Sequence, residues 1–495
     1  MRNTPRGQSP RRRHVARSQV FFGGPYPIAA SANQRYLMQG GSPVLLMGDS
    51  PHGFINHLNS TDADSLCSNR ASKGFNCLWC EVVETDYTGN GNTSWTTFDG
   101  IAPFTGTIVG DGSGPLASGH YYDITTPNST YFARVDQYLA IAASYNITLI
   151  LDPMETGPGG TGMPTWRNNG TSAMTTWGQF LGNRYKNSWN VIWMIGNDYQ
   201  SAIDTLPNST DQNLGKALLD GIIATDPNHL RSVEYCYYTS GSLDGATIRP
   251  DLTLAGAYHY GSAYYKVHDQ YAHSSGVTLP VFLQEGFYED AGYGGGPTTR
   301  RGLRAQAYYT ICAGGLAGYV YGSIYTDPFQ DAGGLSPWQT TYNTNGVVDL
   351  GIWKTFITSK AWYTLQPDWS HVIVTAGYDG DSSGAVSTTA SNTYGNDAGS
   401  TGDDWCMCAA DSLSENAALS LTYCPRASTI TVDLSKFRDS ITARWFDPTN
   451  ASYTTVTGSP FTNSGTQTFK NGSASGASSV NNSLSTSDWV LVLEA

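Results

Sequence analysis

Eight short apolar runs recur along the first three quarters of the chain, at residues 44–48, 76–82, 148–152, 191–196, 232–237, 254–259, 281–285 and 318–321. Each run is nearly continuous rather than alternating. A strand with one wet face alternates, so a continuous apolar run needs cover on both faces. Amphipathic helix patterns fall between the runs, at 62–74, 131–145, 177–185, 213–224, 299–313 and 350–365. In the first, Thr61 is the expected cap and Gly74 the stop; in the second, Val135, Leu139 and Ala142 share one face. Eight such units constrain the chain to the α/β class, as a (β/α)8 barrel of parallel strands.

After about residue 370 the pattern changes. Short strands are expected at 372–378, 405–410, 417–423, 429–434, 441–446 and 489–493, separated by Gly, Ser, Asn and Asp turns, with 471–487 a loop. That reads as a C-terminal antiparallel β-sandwich. The expected division of the 495 residues is a basic, disordered tail at 1–24, a catalytic barrel at 25–369 and an accessory sandwich at 370–495. Long loops at 84–122 and 156–176 follow the second and third strands, on the side where a barrel builds its site.

Composition excludes several classes. Only 14% of residues are charged, 12% are aromatic and Gly numbers 55, which suits a folded, loop-rich protein and not a disordered one. The net charge of −13 argues against nucleic acid, and no apolar run is long enough to span a bilayer. Arg2, Arg6, Arg11, Arg12, Arg13 and Arg17 precede Val20-Phe21-Phe22, which is too short for the apolar region of a signal peptide. Asn-x-Ser/Thr triplets at Asn59, Asn92, Asn128, Asn146, Asn169, Asn208, Asn450, Asn471 and Asn481 nevertheless lean towards a secreted protein. Cys77 and Cys80 sit three apart in a strand and face opposite ways, so they make no metal pair. Cys406 and Cys408 share a strand face with Cys424 on its neighbour, compatible with one disulfide or with three buried thiols. No cofactor is expected. The expected partner is a carbohydrate substrate, with neither nucleic acid nor membrane, and the expected state is a monomer.

Two acids close apolar runs: Asp198 ends the fourth and Glu285 the seventh. In a parallel barrel both project at the C-terminal mouth, and facing carboxyl groups are what glycosidic cleavage requires. Asp198 is the expected proton donor, and Asn197 beside it can bond a sugar hydroxyl. Each has a plainer reading, an Asx pair capping a turn. For Glu285 the plainer reading is a structural ion pair, and Glu289 is a weaker candidate for the same role. Asp49 ends the first strand as a hydroxyl ligand or a turn cap. Asp152 ends the third strand, as a substrate contact or a loop brace, and Glu81 and Glu84 end the second as subsite candidates. His259 can bond the nucleophile or a sugar, or serve as a structural histidine, and Tyr260 can steady the carboxylate. Trp166, Tyr319, Tyr321 and Trp338 can stack on sugar faces or simply pack. No strand end offers His-x-His, so a metal-dependent hydrolase is disfavoured.

These residues resemble a family. Tyr26-Pro27-Ile28 leading to Gly48-Asp49-Ser50, then Arg70-Ala71-Ser72-Lys73-Gly74-Phe75-Asn76, is similar to the opening of the apiosidase-like (β/α)8 glycoside hydrolases of the family 140 type. Residues 191–198, Glu285-Gly286-Phe287-Tyr288-Glu289 and Gly318-Tyr319-Val320-Tyr321-Gly322 resemble that family's fourth, seventh and eighth strand ends. Trp362 with Leu365-Gln366-Pro367-Asp368 resembles the close of its barrel. Trp445-Phe446-Asp447-Pro448 and Trp489-Val490-Leu491-Val492 resemble the small β-domain that often follows, labelled collagen-binding. The resemblance implies a retaining glycosidase acting on a plant or microbial glycan, with Asp198 as acid/base and Glu285 as nucleophile. His52 departs from it, standing where an aromatic is usual at a sugar subsite, and Tyr319 stands where His is common. The competing class is a non-catalytic carbohydrate-binding or adhesion protein on the same scaffold.

Overall fold

The computed structural model describes residues 27–495 except 86–94, 112–113, 117–118, 203–204, 236–238, 261–262, 292–297, 328, 330–336, 379–404, 475–481 and 485–487. The N-terminal tail and the triplets at Asn92 and Asn481 lie outside the described residues. The eight apolar runs form strands β1 (Leu46–Asp49), β2 (Cys77–Glu81), β3 (Thr148–Asp152), β4 (Val191–Tyr199), β5 (Arg231–Tyr235), β6 (Ala255–His259), β7 (Val281–Glu285) and β8 (Gly318–Ser323). They pair in the order β5-β4-β3-β2-β1-β8-β7-β6, every pair parallel, so the first and last strands meet as in a barrel.

Side-chain parity then sorts the residues. Leu46, Trp79, Ile150, Ile192, Met194, Leu254, Phe282 and Val320 fill the interior, joined by Ile28 and Leu37 from a small N-terminal sheet (Ala29–Ala30, Leu37–Gln39, Ser42–Val44) that closes the floor. Their strand neighbours Met47, Leu78, Leu151, Trp193, Val233, Leu283 and Tyr319 pack outward on the helices. Between β5 and β6 no ladder forms. Instead Ser242, just after a strand at Thr239–Gly241 that runs antiparallel to β6, donates to the Val233 carbonyl at 2.6 Å and accepts the Gly256 N–H at 2.8 Å. One hydroxyl thus spans the seam of the nearly closed barrel and satisfies backbone groups that would otherwise be buried unpaired.

The described helices are α1 (Ser60–Ser72), α2 (Ser129–Ser144), α3 (Gly162–Tyr185), α4 (Ser209–Thr225), α5 (Ala263–Tyr271), α6 (Arg300–Cys312), α7 (Trp338–Thr341) and α8 (Asn345–Thr358). Asn59, Asn128 and Asn208 cap α1, α2 and α4, each side chain accepting a first-turn N–H. Asn59 therefore takes the role expected of Thr61, and capping gives three of the Asn-x-Ser/Thr triplets a structural reason. The expected 156–176 loop is mostly helix: α3 starts at Gly162, and the extended turn at Gly170 (φ 74°) breaks the periodicity that would have revealed it. The expected 84–122 loop contains a hairpin, Phe104–Val109 with His120–Pro127, tied to α3 by Asn169, which accepts the Ile124 N–H at 3.2 Å. Among the described helices none is long and apolar enough to cross a membrane.

The C-terminal region forms a six-stranded antiparallel sheet, in the order Gln366–Pro367, Met407–Ala410, Leu419–Cys424, Trp489–Glu494, Thr442–Phe446 and Tyr453–Thr455, and a three-stranded one of Val374–Ala376, Thr429–Asp433 and Thr466–Lys470. One face of the larger sheet (Cys408, Cys424, Trp445, Leu491, Leu493) meets the smaller sheet, while the other (Met407, Leu421, Tyr423, Val490, Val492) packs on the barrel helices. Cys406, Cys408 and Cys424 are buried thiols. Helix α6 is buried on every side from Gly302 to Cys312. Within it Tyr308 stacks on Tyr423 with ring centroids 5.1 Å apart. Arg304 grips Asp488 with two bonds of 2.8 and 2.9 Å and reaches Asp349 at 2.7 Å. Removing one partner of such a buried pair strands the other's charge. Asp488→Ala should therefore cost about 3–5 kcal/mol of stability, read as a lower urea midpoint; a loss under about 1 kcal/mol would show that the interface is not held this way.

Candidate active site

Strand β4 is irregular where it matters. Val233 pairs with Ile195 and Tyr235 with Tyr199, so Gly196, Asn197 and Asp198 lie opposite Glu234 alone. The extra residues form a bulge that turns Asp198 into the mouth, with Gly196 at φ 72° and Asp198 at φ 43°, both in the left-handed region. Side chains clamp the bulge. The Gly196 N–H donates to Asp152 Oδ1 on β3 at 3.1 Å, and the Asp198 N–H to Glu234 Oε2 on β5 at 3.2 Å. Asn197 accepts the Thr156 N–H at 3.0 Å through its side chain and the Thr156 hydroxyl at 2.7 Å through its carbonyl.

Across the mouth, β7 carries its own shift: Leu283 pairs with Ala257 and Glu285 with Tyr258, leaving Gln284 extra. Glu285 accepts a hydrogen bond from the Tyr260 hydroxyl, which in turn receives one from Tyr258 at 2.7 Å. Burial and the charge of Asp198 push the Glu285 carboxyl up to about 8, against the opposing pull of His52 and Tyr260. The Glu285 carboxyl therefore holds a proton at neutral pH.

His52 lies between the walls. Its Nδ1 meets Glu81 Oε1 at 2.9 Å, its Nε2 meets the Tyr288 hydroxyl at 3.0 Å, and its ring stands edge-on to Trp79. Burial works against its charge, but Asp327, Glu285, Glu155 and Asp198 outweigh that and raise its titration. Glu81 and Asp152 hydrogen-bond each other, and burial lifts both far above the carboxylate range, so this pair also holds a proton. Glu84 is paired with His57 at 2.7 Å. Glu155 accepts both the N–H and the hydroxyl of Thr85 at 2.7 Å, and burial with the charge of Glu84 pushes it up to about 8. Asp327, beyond β8, is pushed up to about 6, mainly by burial.

The structure thus gathers His52, Glu81, Glu84, Asp152, Asn197, Asp198, Tyr260 and Glu285 about the mouth. It does not bring the other expected residues there, and parity is the main reason. Asp49 points outward and pairs with Arg70 of α1 at 2.6 Å, both fully buried. Tyr319 packs on Trp353 of α8. Tyr321 donates to Glu289 at 2.5 Å, and Glu289 caps α8 by accepting the Gly346 N–H at 2.9 Å. His259 is buried, which with the field of Lys266 on α5 drives its titration down to about 3. Trp166 is a core residue of α3, with its indole N–H on the Met154 sulfur at 3.2 Å and no exposed face. Trp338 is covered by the rings of Phe329 and Tyr342. Sequence reasoning missed Glu234, Glu155, Asp327, His57 and Tyr288. Glu234 had a usable signal, a lone carboxyl inside the apolar run of β5, where an acid is costly unless partnered or used.

A family model described as "Apiosidase-like, catalytic domain" matches residues 31–364, and one described as "Putative collagen-binding domain of a collagenase" matches residues 398–494. A solved structure described as "Glycoside hydrolase" superposes with a TM-score of 0.71 at 19% identity, covering 95% of this chain and 97% of its own. A glycoside hydrolase family 5 structure from Bacteroides vulgatus ATCC 8482 gives 0.71 at 18% identity, over 94% of this chain and 93% of its own. At these identities the likeness shows the shared fold. Among curated proteins none matches the chain.

The raised acids carry a stability signature. The folded protein holds protons that an unfolded carboxyl, near 3.8 for Asp and 4.5 for Glu, releases, so their contribution is full at acid pH and is lost as pH rises through about 6 for Asp327 and about 8 for Glu155 and Glu285. The melting temperature should fall steadily between about pH 5 and pH 9; calorimetry showing a flat or rising Tm over that window would contradict the assigned burial of these acids.

Proposed function

The chain belongs to the apiosidase-like family, and on that premise we propose that it hydrolyses a glycosidic bond in a plant or microbial polysaccharide or glycoconjugate with retention of anomeric configuration. The observation that carries the reading is the pair of acids at the ends of β4 and β7, each delivered by a strand irregularity and near enough for one to raise the other's titration.

Glu285 is the nucleophile. Attack requires Glu285 in its ionised form, which the Tyr260 O–H and the positive field of His52 favour against burial, and the acid step requires a proton on Asp198. Asp198 gives that proton to the departing oxygen as Glu285 forms a bond to the anomeric carbon. It then takes a proton from water as the glycosyl–enzyme ester is cleaved. Asn197, locked by Thr156, stands beside the reacting centre to meet a sugar hydroxyl. No cofactor enters these steps. Such polymers lie outside the cell, and we place the enzyme there with them.

Glu285→Ala should abolish turnover while the protein keeps its fold by circular dichroism. Asp198→Ala should lose about 10²–10⁴-fold on glycosides with poor leaving groups and much less on activated aryl glycosides, with azide restoring part of the rate as a glycosyl azide. A folded Glu285→Ala protein with wild-type turnover on aryl glycosides or on rhamnogalacturonan-type polysaccharide would refute the assignment, and a wild-type protein that binds these glycans without releasing sugar would point to the adhesion class.

A further inference from the structure

The bulge in β4 leaves a backbone problem that one buried side chain solves. In a regular parallel ladder each backbone N–H finds a carbonyl on an adjacent strand. Opposite the bulge, Glu234 is the single residue of β5 against three of β4, and the Asp198 N–H goes to its Oε2 at 3.2 Å. Glu234 is completely buried, and its other oxygen, Oε1, has no hydrogen-bond partner among the described residues. Asp198 needs such an anchor. Its φ of 43° is a conformation that non-glycine side chains rarely adopt and that persists only where the surroundings hold it.

We propose that Glu234 is a positioning residue: its carboxyl stands in for the missing ladder acceptor and holds Asp198 in the left-handed turn from which it reaches the scissile oxygen. This rests on the reading of Asp198 as the acid. Glu234 acts through Asp198 and does not touch the sugar. Burial first, and then the acidic groups Glu285, Asp198 and Glu81 that face it, keep its carboxyl protonated far above the usual range. The proton then sits on Oε1, because Oε2 is accepting from Asp198. A neutral acid in this orientation is matched by an amide, whose oxygen accepts the same bond.

Glu234→Gln should therefore behave as wild type, within about threefold in kcat and with the same alkaline limb in its pH–rate profile, because acceptor and neutrality are both kept. Glu234→Leu, which fills the space without an acceptor, should lose at least about 30-fold in kcat with little change in KM. Its loss should be largest for poor leaving groups and smallest for activated aryl glycosides, because only the former need the acid. Hydrogen exchange gives a readout that does not depend on turnover: the segment 196–199 should exchange faster in Glu234→Leu and at the wild-type rate in Glu234→Gln. The proposal is overturned if folded Glu234→Leu exchanges this segment at the wild-type rate, or if it keeps the wild-type ratio between poor and good leaving groups. It is also overturned if Glu234→Gln is as damaged as Glu234→Leu, since that would make charge rather than the acceptor the requirement. A wild-type protein that cleaves no glycoside, or an undamaged Asp198→Ala, would defeat the functional reading instead and leave the exchange result to judge the anchor.

Discussion

Two carboxyls holding two backbone amides set the geometry of this mouth. Asp152 and Glu234, on the strands flanking β4, take the N–H groups of Gly196 and Asp198 that the bulge withdraws from the ladder. Without them the bulge would bury unsatisfied donors. The solution has a cost, because buried carboxyls must be neutralised. The structure meets that cost with protons, shared between Glu81 and Asp152 and held by Glu234, and with the imidazole of His52. Rigidity of the acid and the density of titratable groups around it are thus one feature.

The barrel was legible because burial on both strand faces writes continuous apolar runs. All eight strands fall within a few residues of their expected places. The site was only partly legible. Position at a strand end is not enough; whether a residue faces the barrel axis or the helices depends on parity, which the end position alone does not state. Glu285 faces inward through the irregularity in its strand and Asp198 shares the inward parity of Ile192 and Met194, while Asp49, His259, Tyr319 and Tyr321 sit at equivalent ends and face outward. Glu234 was hidden for a related reason: it lies within a run, not at its end, and its partner is a backbone amide that exists only because the neighbouring strand bulges. Trp166 looked like a loop aromatic because Gly170 interrupts the helical period of α3.

The C-terminal domain also reads differently in three dimensions. As sequence it is a separate sandwich, and its family label concerns binding. In the structure its larger sheet is buried on both faces, and α6 has no wet side once that sheet is in place. The Arg304–Asp488 pair lies inside this contact. The same helix reaches the active-site side of the barrel through Gln306, whose amide oxygen accepts the Phe287 N–H just after Glu285 at 2.9 Å. The domain is built into the wall that supports β7.

In the proposed mechanism Asp198 and Glu285 flank one glycosidic bond closely enough for direct attack by the second. Proton NMR of the first-formed product, recorded before mutarotation, tests it most directly. The anomer released should have the configuration of the substrate. Initial release of the opposite anomer would mean that a water fits between the two acids, as in inverting enzymes with carboxyls about 6.5–9.5 Å apart, and would contradict it.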